Sequence, residues 1–331
     1  MTKVLGHQQA RARLARAVAS QQVSHAYLFT GPESIGKTTL ALDFAKLLLC
    51  EHPDLAAGAP CGICASCRKV EHGNHPDVTL VAPEEGKRQL GVDIVRESVM
   101  RLANLAPSAG PWRVFVLPDV ERMTLSTVNA LLKTLEEPPP SVVLLLTSAE
   151  PENLLPTLLS RCQVIPLQPL APHEVAAALE EGWHASPAEA RELAALANGR
   201  LGWAVRALEK PELREERARH LEQIVTLASA TRDARLKAAA GFAADGDTAR
   251  RVLELWTLWW RDVTLAACSA MHLTSTGAAR REAERQGKAL GCPRADTFLR
   301  KLLEARAALD ANANPRLALE VLLLDLPRIP S

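Results

Sequence analysis

The chain has almost no excess of charge of either sign, since 39 Lys and Arg residues stand against 38 Asp and Glu residues among 331. This balance argues against a highly basic nucleic-acid-binding protein and against an acidic tail, so contact with DNA would need a local patch or partners. The apolar runs "VVLLL" and "VFVL" are far too short to span a bilayer. The N-terminal stretch "MTKVLGHQQARARL" has no apolar signal core. We therefore expect a soluble, cytoplasmic protein without a membrane partner.

The first half of the chain alternates short apolar runs with helical patterns, and no low-complexity segment or internal repeat is seen anywhere in the sequence. The runs are nearly continuous in apolar residues, which favours parallel strands covered on both faces. They are "AYLFT" (26–30), "DVTLV" (77–81), "VFVL" (114–117), "VVLLLT" (142–147) and "QVIPL" (163–167). Helices are predicted over 38–50, 91–103 and 125–137, the last ended by "PPP". The pattern predicts an α/β domain with a parallel sheet.

After about residue 168 the strand patterns stop, and helical spacing continues to the end of the chain. Its length of 331 residues favours two or three domains. We predict a nucleotide-binding domain over 1–167, a small helical domain over 168–208 and a helical domain over 209–331. In the last domain, Trp256, Trp259 and Trp260 share one helix face and are predicted to lie in the core.

A phosphate-binding loop follows the first strand. "GPESIGKTT" fits the pattern G-x-x-x-x-G-K-T, with glycines at the points where the backbone must turn round a phosphate chain. The next helix directs its positive end at the phosphates. In this pattern Lys37 reaches the β- and γ-phosphates, and Thr38 offers its hydroxyl to Mg²⁺. The predicted nucleotide-binding residues are Gly31, Pro32, Glu33, Ser34, Ile35, Gly36, Lys37, Thr38 and Thr39.

Four cysteines, Cys50, Cys61, Cys64 and Cys67, have the spacing C-x10-C-x2-C-x2-C. Four thiolates satisfy tetrahedral Zn²⁺ and leave no position for water, so the spacing predicts a structural zinc site in a module of about residues 50–76. Free buried cysteines and a redox pair are the competing interpretations. The neighbouring histidines, His72 and His75, are expected to be surface residues, and Cys268 and Cys292 to be small buried residues.

The order of motifs along the chain resembles a known family. "HAYLFTGPESIGKTT", the four-cysteine insertion, "NALLKTLEEPP" and "LLSRC" occur in the order found in the clamp-loader branch of the AAA+ ATPases, above all in bacterial DNA polymerase III subunits. "NPRLALEVLLLDLP" (314–327) resembles the collar domain of that family. The resemblance covers essentially the whole chain. It implies an AAA+ domain, a helical lid and a helical collar that assembles with other subunits.

The resemblance implies a function for Arg161, the arginine of the Ser-Arg-Cys motif. In the family this arginine reaches across a subunit interface to the γ-phosphate of ATP held by a neighbour. Ser160 and Cys162 shape the turn that presents it. Arg161 is therefore expected to act as an arginine finger in trans.

Three features distinguish among the subunits of this family. Pro118, eleven residues before Asn129, stands where the ATPase subunits have the aspartate that supports Mg²⁺, and Asp119 falls in the place of the catalytic glutamate. Gly202 stands where an arginine of the lid is expected, with Arg200 and Arg206 out of register. At 331 residues the chain is expected to have the collar but no tail for binding polymerase or helicase, unlike tau. All three features resemble the delta-prime subunits, whereas delta subunits lack the phosphate-binding loop and the cysteines.

The resemblance implies a stator subunit of the DNA polymerase III clamp loader, which helps to place the sliding clamp on primer–template DNA. Its partners would be gamma/tau and delta, with clamp and DNA contacted through the complex. ATP or ADP with Mg²⁺ is expected to bind weakly or without turnover, so an ATPase activity of this chain itself is in doubt. An active gamma/tau-type ATPase is one alternative, and an unrelated P-loop enzyme such as a small-molecule kinase is another.

Overall fold

A computed structural model describes residues 4–81, 90–244, 246–270, 280–311 and 313–329. The chain divides into two compact units, Met1–Ala190 with Ala197–Ala204 and Arg191–Leu196 with Val205–Ser331. The predicted class, a parallel α/β sheet followed by helices, is confirmed. The predicted division into three domains stays a prediction. No helix within the described ranges is both long and apolar enough to cross a bilayer.

The first unit is built on a five-stranded parallel sheet with the order β2-β3-β4-β1-β5. The strands are β1 (Ala26–Thr30), β2 (Val78–Leu80), β3 (Arg113–Leu117), β4 (Val142–Ser148) and β5 (Gln163–Pro166). All five predicted strands are therefore present. β1 lies between β4 and β5, with Thr30 opposite Ser148 on one side and Pro166 on the other.

Helices cover both faces of the sheet, as near-continuous apolar strands require. The helices of this unit begin with α1 (Gln8–Ala19), α2 (Lys37–Leu49), α3 (Ala65–Glu71), α4 (Val92–Val95), α5 (Arg101–Ala103), α6 (Leu125–Glu136), α7 (Pro156–Leu159) and α8 (Pro172–Trp183). Alternate residues of one strand enter opposite cores: Tyr27 and Phe29 pack with α1 and α2, while Leu28 packs with the helices on the other face. The helix predicted over 91–103 contains a π-helical segment, Arg96–Met100, between α4 and α5.

The remaining helices are α9 (Pro187–Ala197), α10 (Leu201–Glu209), α11 (Glu212–Leu227), α12 (Arg232–Phe242), α13 (Gly246–Ala267), α14 (Arg280–Leu290), α15 (Cys292–Asp310) and α16 (Pro315–Asp325). From α11 onward they enclose one apolar core. The three tryptophans of α13 lie in this core, as predicted. Trp256 packs edge-to-face on Phe242, and Trp260 packs on Phe298.

Candidate nucleotide site, zinc module and arginine turn

The phosphate-binding loop lies between β1 and α2, where the sequence places it. Gly31 and Gly36 have φ values of 142° and 107°, which residues with a Cβ rarely adopt. A Cβ on Gly31 would also lie only 2.6 Å from the carbonyl oxygen of Leu167. Both glycines are therefore required by the backbone path of the loop.

Four carbonyl groups of the loop are held by the protein. Lys37 Nζ donates to the carbonyl oxygens of Gly31 at 2.9 Å and Pro32 at 3.0 Å. The Gly202 N–H donates to Ser34 O at 2.8 Å, and His7 Nε2 lies 3.0 Å from Ile35 O. These bonds fix the shape of the loop, and a loop of fixed shape is what a phosphate cradle of backbone N–H groups needs.

Lys37 is buried beneath the loop. Burial lowers the pKa of its ammonium group, while Asp119, then Glu121 and Glu33, act in the opposite direction. The three carboxylates therefore favour the charged form of the Lys37 ammonium group, which is the form that binds a phosphate.

The end of β3 departs from the geometry of a magnesium site. The strand stops at Leu117, so Pro118 occupies a strand end, where its missing N–H costs no ladder bond. Asp119 adopts a left-handed conformation with a φ of 49°, and its N–H donates to Thr147 Oγ1 at 3.1 Å. Its side chain is 41% exposed and lies 4.0 Å from Arg122 Nε. Asp119 is thus an exposed carboxylate beside the loop.

Sequence reasoning missed Glu121, two residues further on. Its Oε1 accepts the Ala149 N–H at 2.9 Å, at the end of β4. Its Oε2 is buried without a hydrogen-bond partner in the described part of the chain. Burial raises the pKa of this carboxyl group. The signal available in the sequence was only an acid two places after Asp119, and the contact with β4 could not be read from it.

The structure gives a physical reason for glycine at position 202. Gly202 lies so close to the loop that a Cβ would stand 2.8 Å from Ser34 O. An arginine at this position would collide with the same carbonyl group through its Cβ. Arg200 is buried and donates to Ala197 O at 3.2 Å. The backbone at Gly202 therefore lies close to the backbone of the phosphate-binding loop. Glycine also has no guanidinium group to offer a phosphate.

We expect Gly202→Ala to destabilise the α/β unit by about 1–3 kcal/mol, because the backbone carbonyl of Ser34 must yield to the new methyl group. The matched control is Gly182→Ala in α8, where the Cβ would meet only a flexible leucine side chain at 3.4 Å. The control should be neutral or stabilising by about 0.5–1 kcal/mol, since alanine is the better helix former. Urea unfolding followed by circular dichroism measures both, and equal stabilities would contradict the close approach.

Arg161 lies in the turn between α7 and β5. Its Nη2 donates to Glu136 Oε1 at 2.8 Å, and its Nη1 donates to the Thr157 carbonyl oxygen at 2.9 Å. The side chain is 33% exposed. The glutamate at the end of α6 therefore holds the guanidinium group at the surface of the unit.

The four cysteines of the predicted zinc module come together. Their sulfur atoms all lie within 4.8 Å of one another, and the Sγ atoms of Cys61 and Cys67 are 4.0 Å apart. A tetrahedron with Zn–S bonds of about 2.3 Å has edges of about 3.8 Å, so the cluster fits the ion. Backbone N–H groups donate to three of the sulfurs, Cys61 N to Cys50 Sγ, Cys64 N to Cys61 Sγ and Cys67 N to Cys64 Sγ. The cluster could hold a metal ion.

The elements around the cluster account for its shape. Cys50 directly follows α2, Cys64 caps the N-terminus of α3, and Cys67 is buried within α3. Hydrogen bonds from the N–H groups of Ile63 and Cys64 lower the pKa of Cys61 to about 6, whereas burial raises the pKa of Cys67. The sulfurs of the cluster therefore do not favour the thiolate form equally, and a bound divalent metal would stabilise that form at all four of them.

The expectation that His75 is a surface residue was wrong. His72 is exposed, but His75 is 4% exposed. Its Nδ1 accepts the Asp77 N–H at 3.1 Å, and its Nε2 lies 3.4 Å from Ser66 Oγ. Asp77 in turn pairs with Arg113 at 3.3 Å. His75 therefore links α3 of the module to the strands of the sheet.

Cys268 and Cys292 are also not the small buried residues that the sequence indicated. Cys268 is exposed and Cys292 half-buried. The two residues form a disulfide bond.

The sequence is similar to a known family and to several known proteins. A family model described as DNA polymerase III, delta subunit, matches residues 6–171, about half of the chain. The chain is 42% identical to the DNA polymerase III subunit delta' of Pseudomonas aeruginosa over 212 residues, 62% of each chain. It is 35% identical to subunit delta' of Bacillus subtilis over 210 residues, 62% of this chain and 60% of that one.

The subunit tau of Bacillus subtilis is 37% identical over 160 residues, 48% of this chain and 27% of that protein. The chain spans about six-tenths of the length of the two delta' relatives. The predicted resemblance to delta-prime, with gamma/tau next, is confirmed. The chain belongs to the delta' family of DNA polymerase III subunits.

Proposed function

We propose that this chain is the stator subunit of the DNA polymerase III clamp loader and that it lends Arg161 to the ATP site of a neighbouring gamma/tau subunit. In this role it helps to place the sliding clamp on primer–template DNA during replication, together with gamma/tau and delta. The names of the matched delta' relatives support the assembly. The position of Arg161, in the turn just before β5, supports its action at a neighbour's nucleotide and not at the nucleotide of its own loop.

The observation that carries the proposal is that Arg161 and the phosphate-binding loop lie at opposite ends of the strands of one parallel sheet. The loop begins after Thr30, at the carboxyl end of β1, whereas Arg161 precedes the amino end of β5. Because Tyr27 is paired with Gln163, the two sites are separated by about 15–20 Å along the strands. That distance exceeds the reach of an arginine side chain, so Arg161 does not serve its own loop.

An arginine finger works by neutralising charge that develops on the transferred phosphoryl group. The planar fork of the guanidinium suits phosphate oxygens. In the isolated chain this fork is occupied by Glu136 at 2.8 Å and Thr157 O at 2.9 Å. On assembly the phosphate would compete with Glu136, and the carboxylate would keep the arginine extended until then.

We further propose that residues Gly31–Thr39 hold ATP or ADP without effective turnover. Backbone N–H groups and Lys37 would bind the phosphates, and the Thr38 hydroxyl would reach bound Mg²⁺. The ion would supply charge neutralisation between the phosphates. Pro118 offers it no carboxylate, and Asp119 is directed to an exposed position by its left-handed backbone. Weak support for the metal is therefore expected to leave nucleotide bound but unhydrolysed.

The isolated chain should bind fluorescent ATP and ADP analogues, yet hydrolyse ATP at a rate near background. Lys37→Ala should weaken binding at least about tenfold, because an ammonium–phosphate contact is lost. The control Lys133→Ala removes a lysine from α6, remote in sequence from the loop. Robust hydrolysis that disappears in Lys37→Ala would overturn the proposal and favour an active gamma/tau-type ATPase.

Zinc is proposed as the structural metal of the cysteine module, held by Cys50, Cys61, Cys64 and Cys67. The full set of thiolates leaves no open position, so the ion would take no part in chemistry.

Reconstitution with the other loader subunits tests the proposed function directly, through the ATPase rates of Arg161 and Lys37 variants.

A further inference from the structure

We propose that Cys268 and Cys292 form a reversible thiol–disulfide site in the helical unit, with Cys292 as the attacking thiol and Cys268 as the resolving thiol. The two residues lie 24 positions apart in sequence and are bonded in the structure, with their Cα atoms 5.1 Å apart. The site is distinct from the four-cysteine cluster and from the function proposed above.

Both cysteines lie at helix ends whose backbone is fixed without the disulfide. The Cys268 N–H donates to Thr264 O at 2.9 Å, which continues the hydrogen bonds of α13. On the other side, the Gly291 N–H donates to Gly287 O at 3.0 Å, and the Ala295 N–H donates to Gly291 O at 3.2 Å. The sulfur atoms are therefore brought together by the helices, and reduction leaves two thiols that still face each other.

Close packing of α14 on α13 sets the distance between these ends. A Cβ on Gly287 would stand 2.7 Å from Ala267 N and 2.8 Å from Val263 O. Glycine thus lets the two helix backbones approach directly, one residue before Cys268 in α13 and five before Cys292. This contact keeps the pair in register when the covalent bond is open.

The two thiols differ in their electrostatic surroundings, which assigns their roles. Cys292 is the first residue of the 19-residue helix α15, where the positive end of the helix dipole stabilises a thiolate. Cys268 follows the C-terminal end of α13, where the dipole has the opposite sign. Cys292 is therefore the stronger nucleophile at neutral pH. Cys268 is exposed and Cys292 half-buried, so small reagents reach both.

The reaction is an exchange with a low-molecular-weight disulfide RSSR. The Cys292 thiolate attacks one sulfur, forms a mixed disulfide and expels RS⁻. The Cys268 thiolate then attacks Cys292 Sγ and expels the second RS⁻, and the protons of the two cysteines pass through solvent to the two leaving thiolates. Two electrons move from the protein to RSSR, which becomes two thiols. In a reducing compartment the pair would be open and would close under oxidation.

The test uses the full chain with zinc present, equilibrated in dithiothreitol buffers of increasing oxidised fraction. Peptide mass spectrometry should find the peptides of Cys268 and Cys292 linked under oxidation and separate under reduction. The linked chain should melt roughly 10 °C higher than the Cys268→Ser/Cys292→Ser variant, because the bond closes a loop of the unfolded state. Free thiols at both positions in the oxidised, folded chain would overturn the proposal.

The assignment of roles is tested by iodoacetamide at pH 7 on the reduced single variants. Cys292 in Cys268→Ser should react about tenfold faster than Cys268 in Cys292→Ser, because the thiolate is the reacting form. Cys162 is the negative control within the same chain, since burial raises its pKa to about 12 and it should stay unlabelled. Equal rates, or a faster Cys268, would overturn the assignment.

Discussion

Replacing Arg161 by alanine is expected to reduce ATP hydrolysis at the served site of a reconstituted clamp loader by about 10³–10⁵-fold. The reason is the loss of positive charge and of two directed N–H donors at the transferred phosphoryl group. The steady-state rate of the whole complex should fall to the contribution of the sites that Arg161 does not serve. Single-turnover hydrolysis, stimulated by clamp and primed DNA, measures the loss.

Three control variants separate charge, geometry and folding. Arg161→Lys keeps the charge but not the fork, and it should recover only a minor part of the rate. Glu136→Gln removes the carboxylate that holds the guanidinium at 2.8 Å and should change the rate by less than about tenfold. Arg96→Ala removes another exposed, ion-paired arginine of the same unit and should leave the rate unchanged.

The stability of Arg161→Ala should differ from the parent by less than about 1 kcal/mol, because exposed ion pairs contribute little to folding. A loss of hydrolysis without a loss of stability therefore assigns Arg161 to the neighbouring site. Lys37→Ala should have only a small effect in the same assay. If Lys37→Ala abolished hydrolysis and Arg161→Ala did not, the chain would be an active ATPase and the stator role would be wrong.

The parts of the fold that the sequence predicted are those with a local signal. The five strands are short, largely apolar runs, and three of them, β1, β3 and β4, are buried along their whole length, so their bounds could be placed to within one or two residues. The cysteine spacing predicted a cluster because C-x-x-C turns bring sulfurs together without distant contacts. The glycines of the phosphate-binding loop belong to the same class, since their φ values follow from a tight turn.

The parts that the sequence did not predict depend on contacts between distant segments. Gly202 reaches Ser34, His7 reaches Ile35, and Glu121 reaches Ala149 only after the sheet has formed. The disulfide between Cys268 and Cys292 likewise needs α14 packed against α13. Hydrophobic periodicity reports which side of an element is buried, but it does not report what that side meets. Polar and covalent contacts across the fold therefore had to come from the structure.

Replacing Cys67 by serine is expected to abolish stoichiometric zinc binding and to cost about 4 kcal/mol of stability when free zinc is a thousandfold above its Kd for the parent chain. Cys67 is buried and is the ligand contributed from within α3, so its loss opens the cluster at its core. Zinc content by elemental mass spectrometry should fall from one ion per chain to near zero. Cys162→Ala, outside the cluster, is the matched control and should retain the ion.

The loss of zinc should disorder the module before the sheet. α3 is joined to α2 by the packing of Val70 and by the ion pair of Lys46 with Glu71 at 3.5 Å, which is weak by itself.

By contrast, α2 is held on the sheet through Leu40, Ala41 and Phe44, near the end that carries the phosphate-binding loop. Hydrogen exchange after chelation should therefore rise over residues 50–76, while the strands stay protected and nucleotide affinity is unchanged. The experiment needs a phosphine reductant, because Cys61 and Cys67, 4.0 Å apart, could oxidise once the metal is gone. A chelated chain with unchanged exchange in the module would mean that the four cysteines hold their fold without a metal.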